Sequence, residues 1–282
     1  MSHSISRKAK THLKGNATTH PPMLEGSKNA RIIVTEWNGH HVSIFSPEWE
    51  KIQSLGSGRC STTEGQFNYP TGVTVDHDDI IFIVDHINHR IQKFFSDGKF
   101  VASVGTRGSN PLQFNRPLGI GFNKKNGKLY VCDQDNHRIQ ILGTDLTHHS
   151  SIGSRGNGNG QFSYPRYIAF DGSGNLYVTE NSNHRIQVFT PEGQYLKMFG
   201  SKGYSPGELY CPEGVAILDD RVYVTEIVNH RVSVFSTEGK FVKSFGFKGV
   251  KEAQFQCPCS FHVSKDGFIL IADRDNNRIQ VF

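Results

Sequence analysis

Apolar residues along this chain fall in short runs that return in a fixed order. A proline opens a run such as Gly72-Val73-Thr74-Val75, a turn rich in Asp, Asn and Gly follows, and then comes a denser run such as Ile81-Phe82-Ile83-Val84 or Leu129-Tyr130-Val131-Cys132. Apolar side chains at consecutive positions predict a strand covered on both faces. The third segment, Arg90-Ile91-Gln92-Lys93-Phe94, alternates, which predicts a strand with one wetter face. A fourth follows the turn at Ser96-Asp97-Gly98 and ends at a glycine, with counterparts ending at Gly153, Gly200 and Gly246. No 3.6-residue rhythm accompanies any of these runs, so strands are predicted throughout.

The order repeats six times. A decapeptide from Asp85 to Phe94 recurs at Asp133 to Leu142, Glu180 to Phe189, Glu226 to Phe235 and Asp273 to Phe282, with a worn first copy from Glu36 to Phe45. Its anchor falls at Gly39, Asn88, Asn136, Asn183, Asn229 and Asn276, in steps of 49, 48, 47, 46 and 47 residues. Pro70, Pro117, Pro165, Pro212 and Pro258 keep the same beat, and Pro21 holds the corresponding place in the first copy. A period in the high forties holding four short strands suits one propeller blade per repeat. The expected fold is an all-β, six-bladed propeller of four-stranded antiparallel blades over residues 21–282, preceded by a basic, poorly ordered tail over 1–20.

The signatures Asn88-His89-Arg90-Ile91, Asn136-His137-Arg138-Ile139 and Asn183-His184-Arg185-Ile186 resemble those of the NHL-repeat family, and the likeness covers roughly residues 21–282. It is nearest to the propeller that ends the TRIM-NHL proteins. That resemblance implies a six-bladed propeller binding RNA or protein targets, in some members as the recognition end of a ubiquitin ligase. Two copies depart from the signature: the first reads Gly39-His40-His41, and the last has Asn277 where His is expected.

Net charge changes the picture less than its total suggests. The chain carries +5, yet residues 1–20 hold Arg7, Lys8, Lys10 and Lys14 with no acid, leaving 27 basic and 26 acidic residues for the propeller. Attraction for nucleic acid must therefore come from charge sorted by face. In a four-stranded blade the inter-blade connectors and the turns between strands two and three share one rim. The connectors carry Arg59, Arg107, Arg116, Arg155, Arg166, Lys202, Lys248 and Lys251 against Glu64, Glu208, Glu213 and Glu252, whereas the opposite rim leans acidic. From Arg107 through Arg166 the connectors hold four arginines and no acid, interleaved with Phe114, Phe162 and Tyr164. Guanidinium groups meet phosphates and rings stack on bases, so this rim is the candidate surface for single-stranded RNA. Arg107, Arg116, Arg155, Arg166 and Tyr164 lead the candidates, and Arg138 and Arg185 from the adjoining turns follow.

Packing competes for several of these residues. The recurring pairs Gln66-Phe67, Gln113-Phe114, Gln161-Phe162 and Gln254-Phe255 are what a wedge between blades would demand. The signature Asn suits a left-handed turn position. The acid three residues before it would be costly to bury unpaired, which predicts a girdle of acid, Arg and His hydrogen bonds. His89, His137, His184 and His230 belong to separate blades, so no metal site is expected, nor any cofactor.

Enzymatic readings find little footing. NHL-like zinc lyases acting on amidated-peptide precursors resemble secreted, disulfide-bonded proteins, whereas Cys60, Cys132, Cys211, Cys257 and Cys259 are odd in number and match no zinc framework. Calcium-dependent lactonases of this shape need acids in the axial channel, which sequence leaves open. Gly156 to Gly160 lacks the Lys-Ser/Thr of a phosphate loop. No RING can be built from five scattered cysteines, so any ligase activity, and any contact with the ubiquitin-conjugation machinery, would belong to segments outside this sequence. No apolar run approaches a membrane span and no signal peptide precedes the repeats, so a cytoplasmic, membrane-free protein is expected. The rival to RNA recognition is a protein-interaction platform recruiting ligase substrates.

The chain stops at Phe282 after the third strand of its sixth repeat, leaving the last blade incomplete at the C-terminus. An N-terminal strand, from Ser4 to Ala9 or Thr11 to Gly15, is expected to close the ring weakly, and Pro22 to Gly26 stands where blade one needs an inner strand.

Overall fold

The computed structural model describes residues 10–11, 31–263 and 267–282. Six antiparallel sheets follow one another along the chain. The second blade runs from its inner strand, Pro70–Val75, through Ile81–Asp85 and Arg90–Phe94 to the outer strand Phe100–Val104. Blades three, four and five repeat that order, with inner strands Pro117–Asn123, Pro165–Phe170 and Pro212–Leu218. Each inner strand pairs on one side only, so its other edge faces the axis. Prolines at the first position of these strands fit that edge, where a missing N–H is tolerated.

The sixth blade supplies Pro258–Val263, Ile269–Asp273 and Arg278–Val281 from the C-terminal repeat. Its outer strand is Lys10–Thr11, which pairs antiparallel with Val281 and Gln280. Closure therefore begins one residue before the second expected segment, Thr11 to Gly15, and among the described residues two make it. Blade one shows three strands, Ile32–Glu36, His41–Phe45 and Lys51–Leu55. Its expected inner segment, Pro22 to Gly26, and the rest of the 1–20 tail lie outside the described residues.

Apolar packing lies between neighbouring sheets. Ile44, Phe67 and Ile83 join blades one and two, Phe82, Phe114 and Ile120 join two and three, and Tyr130, Phe162 and Val178 join three and four. Ile186, Leu209 and Val224 continue the series, followed by Val232, Phe255 and Ile271. A smaller group of Val34, Phe45, Leu270, Ala272 and Ile279 closes the ring between blades six and one. The connector phenylalanines Phe67, Phe114, Phe162 and Phe255 are fully buried, as the wedge reading predicts. Removing one such ring from a packed core typically costs about 3–5 kcal/mol. Near the axis the backbones almost touch: a Cβ on Gly119 would sit 2.5 Å from the Arg166 carbonyl oxygen.

A buried carboxylate ties each connector to its blade. Oδ1 of Asp133 accepts the Asn115 N–H at 2.7 Å, and Oδ2 accepts from Asn136 Nδ2 at 2.9 Å, Arg138 Nε at 2.8 Å and Gln140 Nε2 at 3.1 Å. The far end of Arg138 donates to the carbonyls of Ser109, Asn110 and Gln113. Asp85, Glu180, Glu226 and Asp273 repeat this arrangement with Arg90, Arg185, Arg231 and Arg278, and all five acids are fully buried. In blade one His41 takes the place of the arginine, 3.0 Å from Glu36.

The expected left-handed turn residue is one place off. The positive φ belongs to His40, His89, His137, His184, His230 and Asn277, at 49° to 55°. The signature Asn stays in ordinary conformation because its side chain is held twice, as when Asn88 donates to Asp85 and to the Ser61 carbonyl. Histidine is among the residues that tolerate this region.

Arg138→Ala would strand Asp133 in the interior with three connector carbonyls uncapped. A loss of about 3–5 kcal/mol in unfolding free energy is expected from urea titration, whereas a loss within about 0.5 kcal/mol, ordinary for a surface site, would show the girdle to be dispensable.

Candidate functional site

Connectors and signature turns meet on one rim through a second repeated contact. Nδ1 of His40, His89, His137, His184 and His230 accepts the backbone N–H of Tyr69, Arg116, Tyr164, Cys211 and Cys257 in the next blade, at 3.0 to 3.2 Å. Each accepting residue of the pair and each donor lies at positive φ, and each donor immediately precedes the proline of an inner strand. The imidazoles thus latch successive blades together, and only an unprotonated Nδ1 can do so.

Their titration follows from that position. Burial lowers the pKa of all five below the ordinary histidine value, and Arg107 and Arg116 push His89 further down, as Arg155 does His137 and Lys202 does His184. His86, whose ring donates to the Pro117 carbonyl at 2.9 Å, is lowered to about 4, chiefly by burial.

The connectors fold back on themselves in short parallel bridges. Thr106–Arg107 pairs with Gln113–Phe114, and Arg155, Lys202 and Lys248 pair singly with Phe162, Leu209 and Phe255. One exposed cation therefore stands at the same place on four successive connectors, Arg107, Arg155, Lys202 and Lys248. Arg116 is 55% exposed in its side chain, with Nε 3.9 Å from Asp135. Tyr164 is 37% exposed and stands edge-on to His137, ring centres 4.8 Å apart.

Three candidates point elsewhere. Arg138 and Arg185 are girdle residues, their guanidinium groups spent on Asp133, Glu180 and connector carbonyls. Arg166 turns toward the axis, where Nη1 donates to Gln134 and Nε lies 3.6 Å from Glu213. Glu213 is 1% exposed, and burial raises its pKa against the pull of Arg166 and Arg274. Both Glu213 oxygens, Arg166 Nε and the Tyr167 hydroxyl are buried without a hydrogen-bond partner among the described residues. Sequence parity between Arg116 and Arg166 hid this, because Arg116 precedes its proline while Arg166 follows one and so enters the inner strand.

A group that charge counting overlooked completes the rim. Tyr204 is 70% exposed and lies 5.4 Å from the Tyr210 ring, which in turn is 5.1 Å from the His184 ring, with Lys202 Nζ 5.2 Å above Tyr210. Phe247 and Val250, 62% and 66% exposed, flank Lys248 on the next connector. The signal was in the repeat: Tyr204 and Val250 occupy the slot held by Ser109 and Asn157 elsewhere. Among the described residues no group of three or more His, Cys, Asp or Glu is placed to hold a metal, and no helix is long and apolar enough to cross a membrane.

Two outcomes test this geometry. Between about pH 6.5 and 4 the unfolded chain binds protons that the latch histidines and His86 refuse, so stability falls as pH drops through that window. His41, raised by its bond to Glu36, acts oppositely, its contribution present below the ordinary histidine value and lost as pH rises through its folded one. Urea midpoints should decline from pH 7 to pH 5, with a shallower decline in His137→Leu; a flat profile would remove the latch. Arg166→Glu should lower the melting temperature by several degrees by setting a second carboxylate against buried Glu213, whereas Arg107→Glu should leave it within about a degree or two.

Known proteins share this architecture. A Staphylococcus aureus virginiamycin B lyase superposes with a TM-score of 0.69 at 17% identity, covering 97% of this chain and 98% of that one. A chain of the nidogen/laminin complex gives 0.61 at 19% identity, over 80% of this chain and 79% of that one. At such identities the likeness is one of fold. In sequence, 72 residues are 33% identical to the Drosophila melanogaster protein brain tumor, spanning 26% of this chain and 7% of that protein's length. The NHL repeat model matches residues 67–94, 114–142, 162–189, 209–235 and 255–282, one match in each blade from the second to the sixth, and the chain belongs to the NHL repeat family.

Proposed function

We propose that this propeller is a non-catalytic binding domain that recognises single-stranded RNA through its connector rim, within a TRIM-NHL-like regulator of mRNA or protein turnover. The observation that carries the reading is the row of exposed cations Arg107, Arg155, Lys202 and Lys248 at equivalent connector positions, with Arg116 beside it and Tyr164, Tyr210 and Tyr204 between. Cations at a repeated spacing suit a phosphate backbone, and partly exposed rings offer stacking surfaces for unpaired bases. The partial match to protein brain tumor is consistent with a TRIM-NHL setting. The rim imidazoles are engaged as hydrogen-bond acceptors, which favours a binding role over general-base chemistry. Five free thiols suit a reducing, cytoplasmic setting.

Exposed Phe247 and Val250 favour a second reading, a platform that recruits protein substrates for a ubiquitin ligase. Its RING would then lie on a segment outside this sequence.

Salt separates the two. Affinity for randomised single-stranded RNA should fall steeply with salt, and the slope should shrink by roughly one for each phosphate-contacting cation removed. The double variant Arg107→Glu, Arg155→Glu should lose most binding in a filter or anisotropy assay at an unchanged melting temperature. Equal retention of RNA by this variant and the wild type would leave the protein-platform reading.

A further inference from the structure

The face opposite the cationic rim carries a cavity that RNA recognition does not use. It occupies about 460 Å³ along the axis, within the range of small-molecule sites. Its walls are the ends of four inner strands, with Ile168, Val215, Ile217 and Phe261 as apolar lining. On the connector side of the inner strands lie the Arg166–Glu213 pair and the buried Tyr167 phenol. The cavity lies at the far ends of the inner strands, away from their prolines and the connector rim.

Two polar features mark it as more than a packing gap. His262 lies in the lining, and its imidazole makes no hydrogen bond to a described residue although the ring is buried enough to stay neutral. Lys124 and Lys125 stand exposed at the mouth. The acid of the lining, Asp171, is turned into its own loop: Oδ1 accepts from the Ser173 and Asn175 N–H groups, and Oδ2 from the Asn175 side chain at 2.8 Å. Among the described residues the mouth thus offers the Lys125 cation, the wall is apolar, and a neutral imidazole lies between.

We propose that this axial cavity binds a small organic carboxylate with an apolar body. The carboxylate meets Lys125 at the mouth, the body lies against Ile168, Val215, Ile217 and Phe261, and His262 hydrogen-bonds a polar group of the ligand. The inference is independent of the RNA reading, since the cavity is lined by the far ends of the inner strands and by none of the rim residues.

Anilinonaphthalene sulfonate, an anion on an apolar aromatic body, is the probe. Its fluorescence should rise saturably with the wild-type chain, be displaced by octanoate, and resist equal concentrations of octanol. Ala216→Trp, which fills the cavity, should abolish the rise, and His262→Phe should weaken affinity about tenfold, the worth of one buried hydrogen bond. Lys125→Glu, at an exposed position that should not disturb folding, should weaken it several-fold, and Arg107→Glu on the far rim should change nothing. An undiminished rise in Ala216→Trp, displacement by octanol as effective as by octanoate, or unchanged affinity in Lys125→Glu would each overturn the proposal.

Discussion

A buried carboxylate at the end of the second strand in five of the blades is the constraint from which the rim is built. In blades two to six the acid has no water to solvate it, so it must be met by donors, and each of the five is met by four. Three of those donors come from the blade itself, and one is a backbone N–H of the incoming connector. The arginine then extends past the acid to cap three more connector groups. Connectors of twelve residues with no helix and little strand are thereby fixed, and exposed side chains on them hold defined positions.

That rigidity divides the arginines into two populations. Those inside the girdle are spent on structure, and a charge-reversal there measures folding rather than recognition. Those on the parallel bridges have no such duty and face solvent. Arg166 joins the first group although it is counted with the second by sequence, since a single place across the proline moves it from connector to inner strand. The imidazole latches add a coupling between blades that depends on protonation, so rim geometry and ring stability share one set of residues.

The two ends of the axis differ for related physical reasons. Near the connectors, glycines such as Gly119 and Gly214 let inner strands crowd together, with Arg166 Nε set 3.6 Å from Glu213. Farther along, apolar side chains such as Ile168, Val215, Ile217 and Phe261 surround an open cavity. One face therefore offers charge and rings on a surface, and the other a lined recess.

The period of the signature, the prolines and the alternation of apolar runs determined the blade count, the strand order and the wedge role of Phe67, Phe114, Phe162 and Phe255, because each is a local pattern repeated under the same packing demand. The acid-arginine girdle was legible for the same reason. What sequence could not decide depended on relations between blades. Which turn residue takes positive φ was settled by whether the Asn side chain found two partners, and the histidine's role by a backbone N–H of the following repeat. Arg166 was claimed by Glu213 across an inter-strand gap no spacing reveals, Tyr204 and Tyr210 came together only through connector folding, and closure by Lys10–Thr11 joined segments from opposite ends of the chain. Local periodicity fixes which strands form, whereas contacts between residues distant in sequence exist only once the ring has closed.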